Sequence, residues 1–571
     1  MSVSKMIMGQ AANQYVAPTY VENLFSTDLW DGGGASATKV NNGIDLSSEG
    51  GLVWIKSRTN PGTGHFHHLV DSERGQSSGF HKAVYSNGTE AENTYPSSTN
   101  GGVSSFNSNG FTVGPGSNNN YFLNASGYDY ASWTFRKQAK FFDVVTYTGT
   151  GPASAANEQQ VSHNLGVKPG LVIIKSTSTT GNWWVFTDVI DGTNDYAYLN
   201  STNAFGNSGN NVPTASVFNV GGVLNTSGVT YVAYLFANND GDGDFGVTND
   251  QDIIKCGSYT GDGTSNGSNE VTLGFEPQWI LTRRSDSADN WHICDVMREQ
   301  TTDGSTARLR ANTSAAESSN LGAVPTATGF KLYSDNSSGG TFIYMAIRRG
   351  PLAEPENATD VFSVNETGTG DSPTNSWPVG FATDMNINTR TGTGTSQFVM
   401  TRLLGGKYLK TNEAGAEATA SGQKFWDSST GQLDLNTNWW TTTSDIISWS
   451  WKRAPSYFDV VAYSGDGTSS NTVRTAAISH NLGVQPEMVW VKRRDTTSEW
   501  VVAHKDYGAG YLNLNNAFAT YSSLSTTHND NFTATNFKIG AWQQEANFNV
   551  SGADYIAYLF ATVAGISKVG S

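Results

Sequence analysis

Short apolar runs recur down the whole chain, with side chains alternating in character and turn residues closing each run. "GLVIIKS" from Gly170, "EMVWVKRR" from Glu487 and "TYVAYLF" from Thr230 are examples. A period of two places successive side chains on opposite faces of a strand. Segments such as "NLGVKPG" and "YTGTG" supply the Gly, Pro and Asn that punctuate strands. Pro169, Pro277 and Pro486 stand just before strands, where a missing N–H is tolerated. No window has the 3.6-residue period of an amphipathic helix. The pattern predicts an all-β protein built of antiparallel β-sandwiches.

The pattern also repeats. "FDVVTYTGTG" at Phe142 returns as "FDVVAYSGDG" at Phe458, "VSHNLGVKPGLVIIK" at Val161 as "ISHNLGVQPEMVWVK" at Ile478, and "YVAYLFA" at Tyr231 as "YIAYLFA" at Tyr555. A more diverged copy runs from "CGSYTGDG" at Cys256 through "FIYMAIRRG" at Phe342, and "YASWTFRKQAKFFDVV" at Tyr130 is echoed by "ISWSWKRAPSYFDVV" at Ile447. These matches divide the chain into a segment 1–23 and five units: A (24–141), B (142–250), C (251–357), A′ (358–457) and B′ (458–571). Each is roughly 100–115 residues, the size of one β-sandwich. The expectation is a tandem row of about five jelly-roll-like modules.

Composition narrows the function. Of 571 residues only 15% are charged, while 12% are aromatic, with 62 Gly and 16 Trp. This suits β-strands and turns and differs from disordered chains, which lack aromatics. A formal charge of −16 argues against nucleic-acid binding, which needs a basic face. Two cysteines, Cys256 and Cys294, are too few for a disulfide framework and read as free buried thiols. No run approaches the ~20 apolar residues of a membrane span, and the N-terminus lacks the apolar core of a secretory signal. A species made and kept soluble is expected, without membrane insertion.

Candidate chemistry is sparse. Asp143 and Asp459 recur beside a Phe at unit boundaries and read as turn caps, and "SHN" at Ser162 and Ser479 marks a turn with a structural histidine. "HFHH" (His65, His67, His68) reads as a polar loop or, on one strand face, as transition-metal ligands. In "NNDGDGDFGVTNDQD", Asp240, Asp242, Asp244, Asp250 and Asp252 offer oxygen ligands for Ca2+. Phe245 and Gln251 occupy the places where an EF-hand needs Gly and Glu. The loop reads as a B–C joint, either plainly solvated or stiffened by calcium. Trp183, Trp184, Trp439, Trp440 and Trp500 serve either as core or as faces that stack sugars. The cationic strand ends at Lys492–Arg494 and Thr282–Arg284 either pair with neighbouring units or are solvated.

The combination "HNLGVKPGLVIIK", "YVAYLFANNDGDGDFG", "DQDIIKCGSYTG" and "FIYMAIRRGP" resembles repeat modules in virion structural proteins of marine tailed phages, chiefly cyanophages. The units also resemble concanavalin-type, laminin-G-like jelly rolls, which often bind glycans. The resemblance implies a tail fibre or projecting appendage on the virion exterior, assembled in the host cytoplasm and contacting a host-surface glycan or receptor. It also implies a homo-oligomer, a trimer being favoured, attached to other virion proteins through the segment before residue 24. It brings no catalytic set, so a non-enzymatic role is expected. The alternatives are a purely architectural capsid decoration or horn, and a glycan-cleaving enzyme.

Overall fold

A computed structural model describes residues 17–59, 65–92, 100–116, 123–151, 158–298, 305–333, 338–350, 352–367, 376–390, 396–420, 426, 428–429, 431–433, 446–467, 477–507, 511–517, 532–538 and 549–570. The protein is all-β, and the strand ladders among these residues are antiparallel. The sheets follow one plan. A larger sheet of five or six strands is accompanied by a smaller one of two or three. In unit B the first strand, Phe142–Thr148, pairs with the last, Thr230–Ala237, which then pairs with Pro169–Ser176. The same order holds in the other larger sheets, and so does the register. Phe142 faces Phe236, Phe458 faces Phe560 and Phe25 faces Phe135. Pro169 and Pro277 each open their strand at a register shift, where the lost N–H leaves no gap in the ladder.

Within unit A, one face of the larger sheet (Val53, Ile55, Val70, Tyr130) packs on the smaller sheet (Val40, Val103, Phe111, Val113), which makes a sandwich. The opposite face is equally apolar. Leu52, Trp54, Trp133 and Phe135 of A join Ile173, Tyr234 and Phe236 of B and Trp279, Ile293 and Met345 of C in one continuous core. The larger sheets of A, B and C therefore carry apolar cover on both sides. Every residue of Gly51–Ser57 and of Pro169–Ser176 is buried. This is where the structure departs from a simple row of modules. Two apolar faces per sheet cannot both be covered by the unit's own small sheet, so A, B and C close on one another.

The three seams use equivalent groups. The residue before the fourth strand of the sheet order reaches into the preceding unit. Trp183 Nε1 donates to Tyr85 O at 2.7 Å, and Trp291 Nε1 to Tyr198 O at 3.0 Å. His67 holds that place in A, against the Arg310 backbone of C. A returning loop then donates the other way: Glu92 N to Thr177 O, Phe205 N to Ser285 O and Glu317 N to Arg58 O, each at 2.8 Å. The links run A to B, B to C and C to A, so the ring is closed. Buried polar groups complete it. Tyr234 Oη donates to Asp71 Oδ2 at 2.7 Å, Trp133 Nε1 to Asp295 Oδ2 at 2.9 Å, and Arg58 pairs with Glu317 at 2.8 Å. Burial acts to raise the Glu317 carboxyl, but Arg58 and Arg298 outweigh it and hold the pKa at about 2.

A′ and B′ are joined by the same device. Trp500 Nε1 donates to Lys410 O at 2.8 Å and Glu417 N to Arg494 O at 2.9 Å, with Arg494 paired to Glu417 at 2.7 Å. This half is fastened to the ring mainly through C. Arg453 grips Glu276 with two bonds of 2.8 and 2.6 Å and also pairs with Asp459. Leu29 N in A reaches Ser429 Oγ in A′ at 2.9 Å.

Candidate functional site

The recurring motifs that invite a catalytic reading are consumed in a local brace. Asp143 Oδ2 accepts from Asn164 N at 2.7 Å, and its Oδ1 from Val144 N at 2.9 Å. His163 Nδ1 accepts from Leu165 N at 3.2 Å, which leaves Nε2–H to donate to Thr214 O at 3.2 Å. In B′, Asp459, Asn481, His480, Leu482 and Thr533 repeat these contacts. The brace ties the first strand of the unit to the "SHN" turn. It engages both the carboxylate and the imidazole in hydrogen bonds to the backbone.

The histidines of "HFHH" are all buried. His67 Nδ1 accepts from Trp54 Nε1 at 2.9 Å, His65 lies against Tyr128 and His68 against Tyr85. Burial, reinforced by the charge of Lys56, lowers all three below the ordinary imidazole range, His68 to about 3.

The acidic loop spreads its carboxylates apart. Asp252 caps Gly241 N and Gly243 N at 2.8 and 3.0 Å, Asp244 pairs with Lys140 at 2.7 Å and Asp240 with Lys255 at 3.4 Å. Asp250 accepts from Thr248 Oγ1, and Asp242 Oδ1 from Asp240 N at 3.3 Å. Phe245 anchors the loop in the core. The carboxylates that offer oxygen ligands for Ca2+ are thus engaged in pinning the B–C joint. Among the described residues no group of three or more His, Cys, Asp or Glu side chains is placed to hold a metal ion.

The tryptophans divide. Trp183 and Trp500 are fully buried, with their indole N–H groups committed to the seams, so neither offers a face to a sugar. Trp439 and Trp440 lie outside the described residues. Trp184, one position further along its strand, points the opposite way and is half-buried. The cationic strand ends also serve the seams. Arg494 pairs with Glu417, and Arg283 donates to Tyr198 O at 2.8 Å and to Asn203 O, with its guanidinium 4.8 Å from the Trp291 ring centre.

Trp184 is the centre of an aromatic shelf. Tyr196 tilts against it at 4.9 Å, Tyr198 meets it edge-on at 4.9 Å, and Phe186 lies parallel at 6.0 Å. The shelf forms because Trp184 and Phe186 alternate with Val185, and Tyr196 and Tyr198 with Ala197, so the aromatic set shares one face of the sheet, with Phe186 buried and Trp184 and Tyr196 packed against the core as its partly buried rim. Unit B's companion sheet has only two strands, Gln159–Ser162 and Val217–Val220. The shelf lies on the outer strands of the larger sheet, with Trp184, Tyr196 and Tyr198 half-buried and Phe186 buried. Asn182 and Asn200 stand beside it, joined at 3.1 Å. Burial, then the neighbouring Tyr196, pushes the Tyr198 hydroxyl above its ordinary range, with Asn182 opposing. Half-exposed rings flanked by amides can stack on the apolar face of a sugar and bond its hydroxyls. The Tyr partners were not found from sequence, although "DYAYLN" at Asp195 carries a period-two aromatic pattern.

A family model described as "Domain of unknown function (DUF7483)" matches residues 21–351 and again residues 357–571. The two matches fall on the A–B–C ring and on the A′–B′ pair. No curated protein and no solved structure matches the chain.

Proposed function

The chain belongs to the DUF7483 family, a domain of unknown function, through both of its halves, and we propose that it is a non-enzymatic structural protein of a tailed-phage virion. On this reading it is a tail fibre or projecting appendage, and Trp184, Tyr196 and Tyr198 contact host-surface glycan. The aromatic shelf carries the host-contact part of the proposal, because its Trp184, Tyr196 and Tyr198 rings are clustered and only partly buried. The virion part draws on the resemblance of the repeated motifs to phage fibre and appendage modules. It is supported by a scaffold whose recurring Asp and His side chains are used to brace it. One shelf binds weakly, and many copies on one particle supply avidity.

Binding of the purified full chain to host cells tests the shelf. Trp184→Ala is expected to weaken binding about tenfold, the equivalent of ~1.4 kcal/mol, without loss of β-structure by circular dichroism. Undiminished binding by this variant would remove the shelf from the account.

A further inference from the structure

A cavity of about 480 Å³ lies where the two halves of the chain meet. Val247 of the B–C joint, Leu352 beyond the last strand of C, Pro455 of A′ and Phe458 of B′ give it a mainly apolar lining. It shares no residue with the Trp184 shelf. A cavity of this size, largely apolar with a few polar groups in its wall, is the ordinary form of a small-molecule site.

Three guanidinium groups line it, those of Arg348, Arg349 and Arg453. Two of them are paired. Arg349 meets Asp384 at 2.5 Å, and Arg453 meets Glu276 at 2.6 Å and also Asp459. Arg348 is different. Its Nη1 donates to Asp252 O at 3.3 Å, and its guanidinium lies 5.9 Å from the Phe275 ring centre. Its Nε is buried with no hydrogen-bond partner, and its Nη2, which solvent reaches, donates to no described residue. Among the described residues no carboxylate forms an ion pair with it.

The neighbouring carboxylates are committed elsewhere. Asp252 accepts from Gly241 N and Gly243 N, and Asp250 accepts from Thr248. Burial outweighs the pull of these two and holds Arg348 below the usual range of its side chain. On the cavity wall itself, Asp459 is paired with Arg453, and Glu354 accepts from Ser456 Oγ at 2.8 Å. Arg348 is therefore a partly buried cation at an apolar cavity, short of a counter-charge.

We propose that this cavity binds a small organic carboxylate, its charge on Arg348 and its apolar body against Val247, Leu352, Pro455 and Phe458. A charge-assisted bond to a guanidinium N–H is among the stronger hydrogen bonds, and carboxylate is a natural partner of that group. The apolar lining selects an anion with a hydrocarbon or aromatic body over inorganic phosphate. Such a ligand touches C, the B–C joint, A′ and B′ together, so its binding also ties the second half to the ring.

Isothermal titration of the full chain with benzoate tests the proposal. Benzyl alcohol serves as the uncharged control and inorganic phosphate as the anion without an apolar body. Benzoate is expected to bind at least tenfold tighter than either. Arg348→Gln is expected to weaken it at least tenfold and Arg348→Lys by less, each with unchanged circular dichroism. Val247 is 65% exposed, so Val247→Trp spares the core while narrowing the cavity, and it is also expected to weaken benzoate. Benzoate bound no better than benzyl alcohol, or equally well by Arg348→Gln, would overturn the proposal. Phosphate bound as tightly as benzoate would do the same, because the apolar lining would then play no part. Should Arg348→Gln lose its β-structure, undiminished benzoate binding by Val247→Trp would overturn it instead.

Discussion

Arg453→Met is expected to destabilise the second half of the chain by about 3–5 kcal/mol and to loosen it from the first. Arg453 is 3% exposed and lies among Glu276 of C, Asp459 of B′ and Asp384 of A′. Burial acts against its charge, but Asp459 and Glu276 outweigh it and hold the guanidinium above even its usual high range. Removing the cation leaves buried carboxylates without their partner, and that cost exceeds what the pair adds to stability when intact. Arg453→Met combined with Glu276→Gln removes both members of the inter-half pair and is expected to recover part of the loss. Urea denaturation checks this, read as a lower midpoint for A′–B′ in the single variant than in the double. A double variant as damaged as the sum of the two singles would show that the groups do not act as a pair.

Trp291→Ala is expected to open the B–C seam at a cost of about 3–5 kcal/mol. Trp291 is fully buried, donates to Tyr198 O at 3.0 Å, carries the Arg283 guanidinium 4.8 Å from its ring centre and meets Phe205 edge-on at 6.0 Å. Trp291→Phe keeps most of the volume and loses the N–H, so its cost is expected near 1–2 kcal/mol. Because the ring is closed, the loss should spread beyond one seam. Hydrogen exchange should rise at the Tyr85 and Arg58 seams as well as at Tyr198. Exchange confined to B and C would mean that the three units do not stabilise one another as a ring.

The all-β class was legible because period-two strands and Gly/Pro/Asn turns are local signals, and "FDVV", "SHNLG" and "YVAYLFA" return with their spacing intact. The structural reading of Asp143 and His163 was legible for the same reason, since a brace must recur wherever its turn recurs. Ring closure was written in the strands but is harder to read. In "GLVWIKS" and "GLVIIKS" neighbouring positions are both apolar, which signals a sheet covered on two faces without saying by what. Lys56 and Lys175 then enter the core, each donating to the next residue's carbonyl at 2.7 Å, with burial lowering them to about 7 and about 8. Trp183 and Trp184 are adjacent in sequence and opposite in fate, because one position along a strand reverses the face. Composition cannot separate them, and register can. The pairing of Arg453 with Glu276 depends on how two halves dock, so nothing local announces it.

On the proposed function, this braced scaffold is an exterior part of a phage particle. Electron microscopy of intact particles labelled with an antibody against the chain tests it most directly. Label at a regular external position on the tail or on a projecting appendage is the predicted result. Purified particles that carry no label, while the chain is abundant in infected cells, would contradict it.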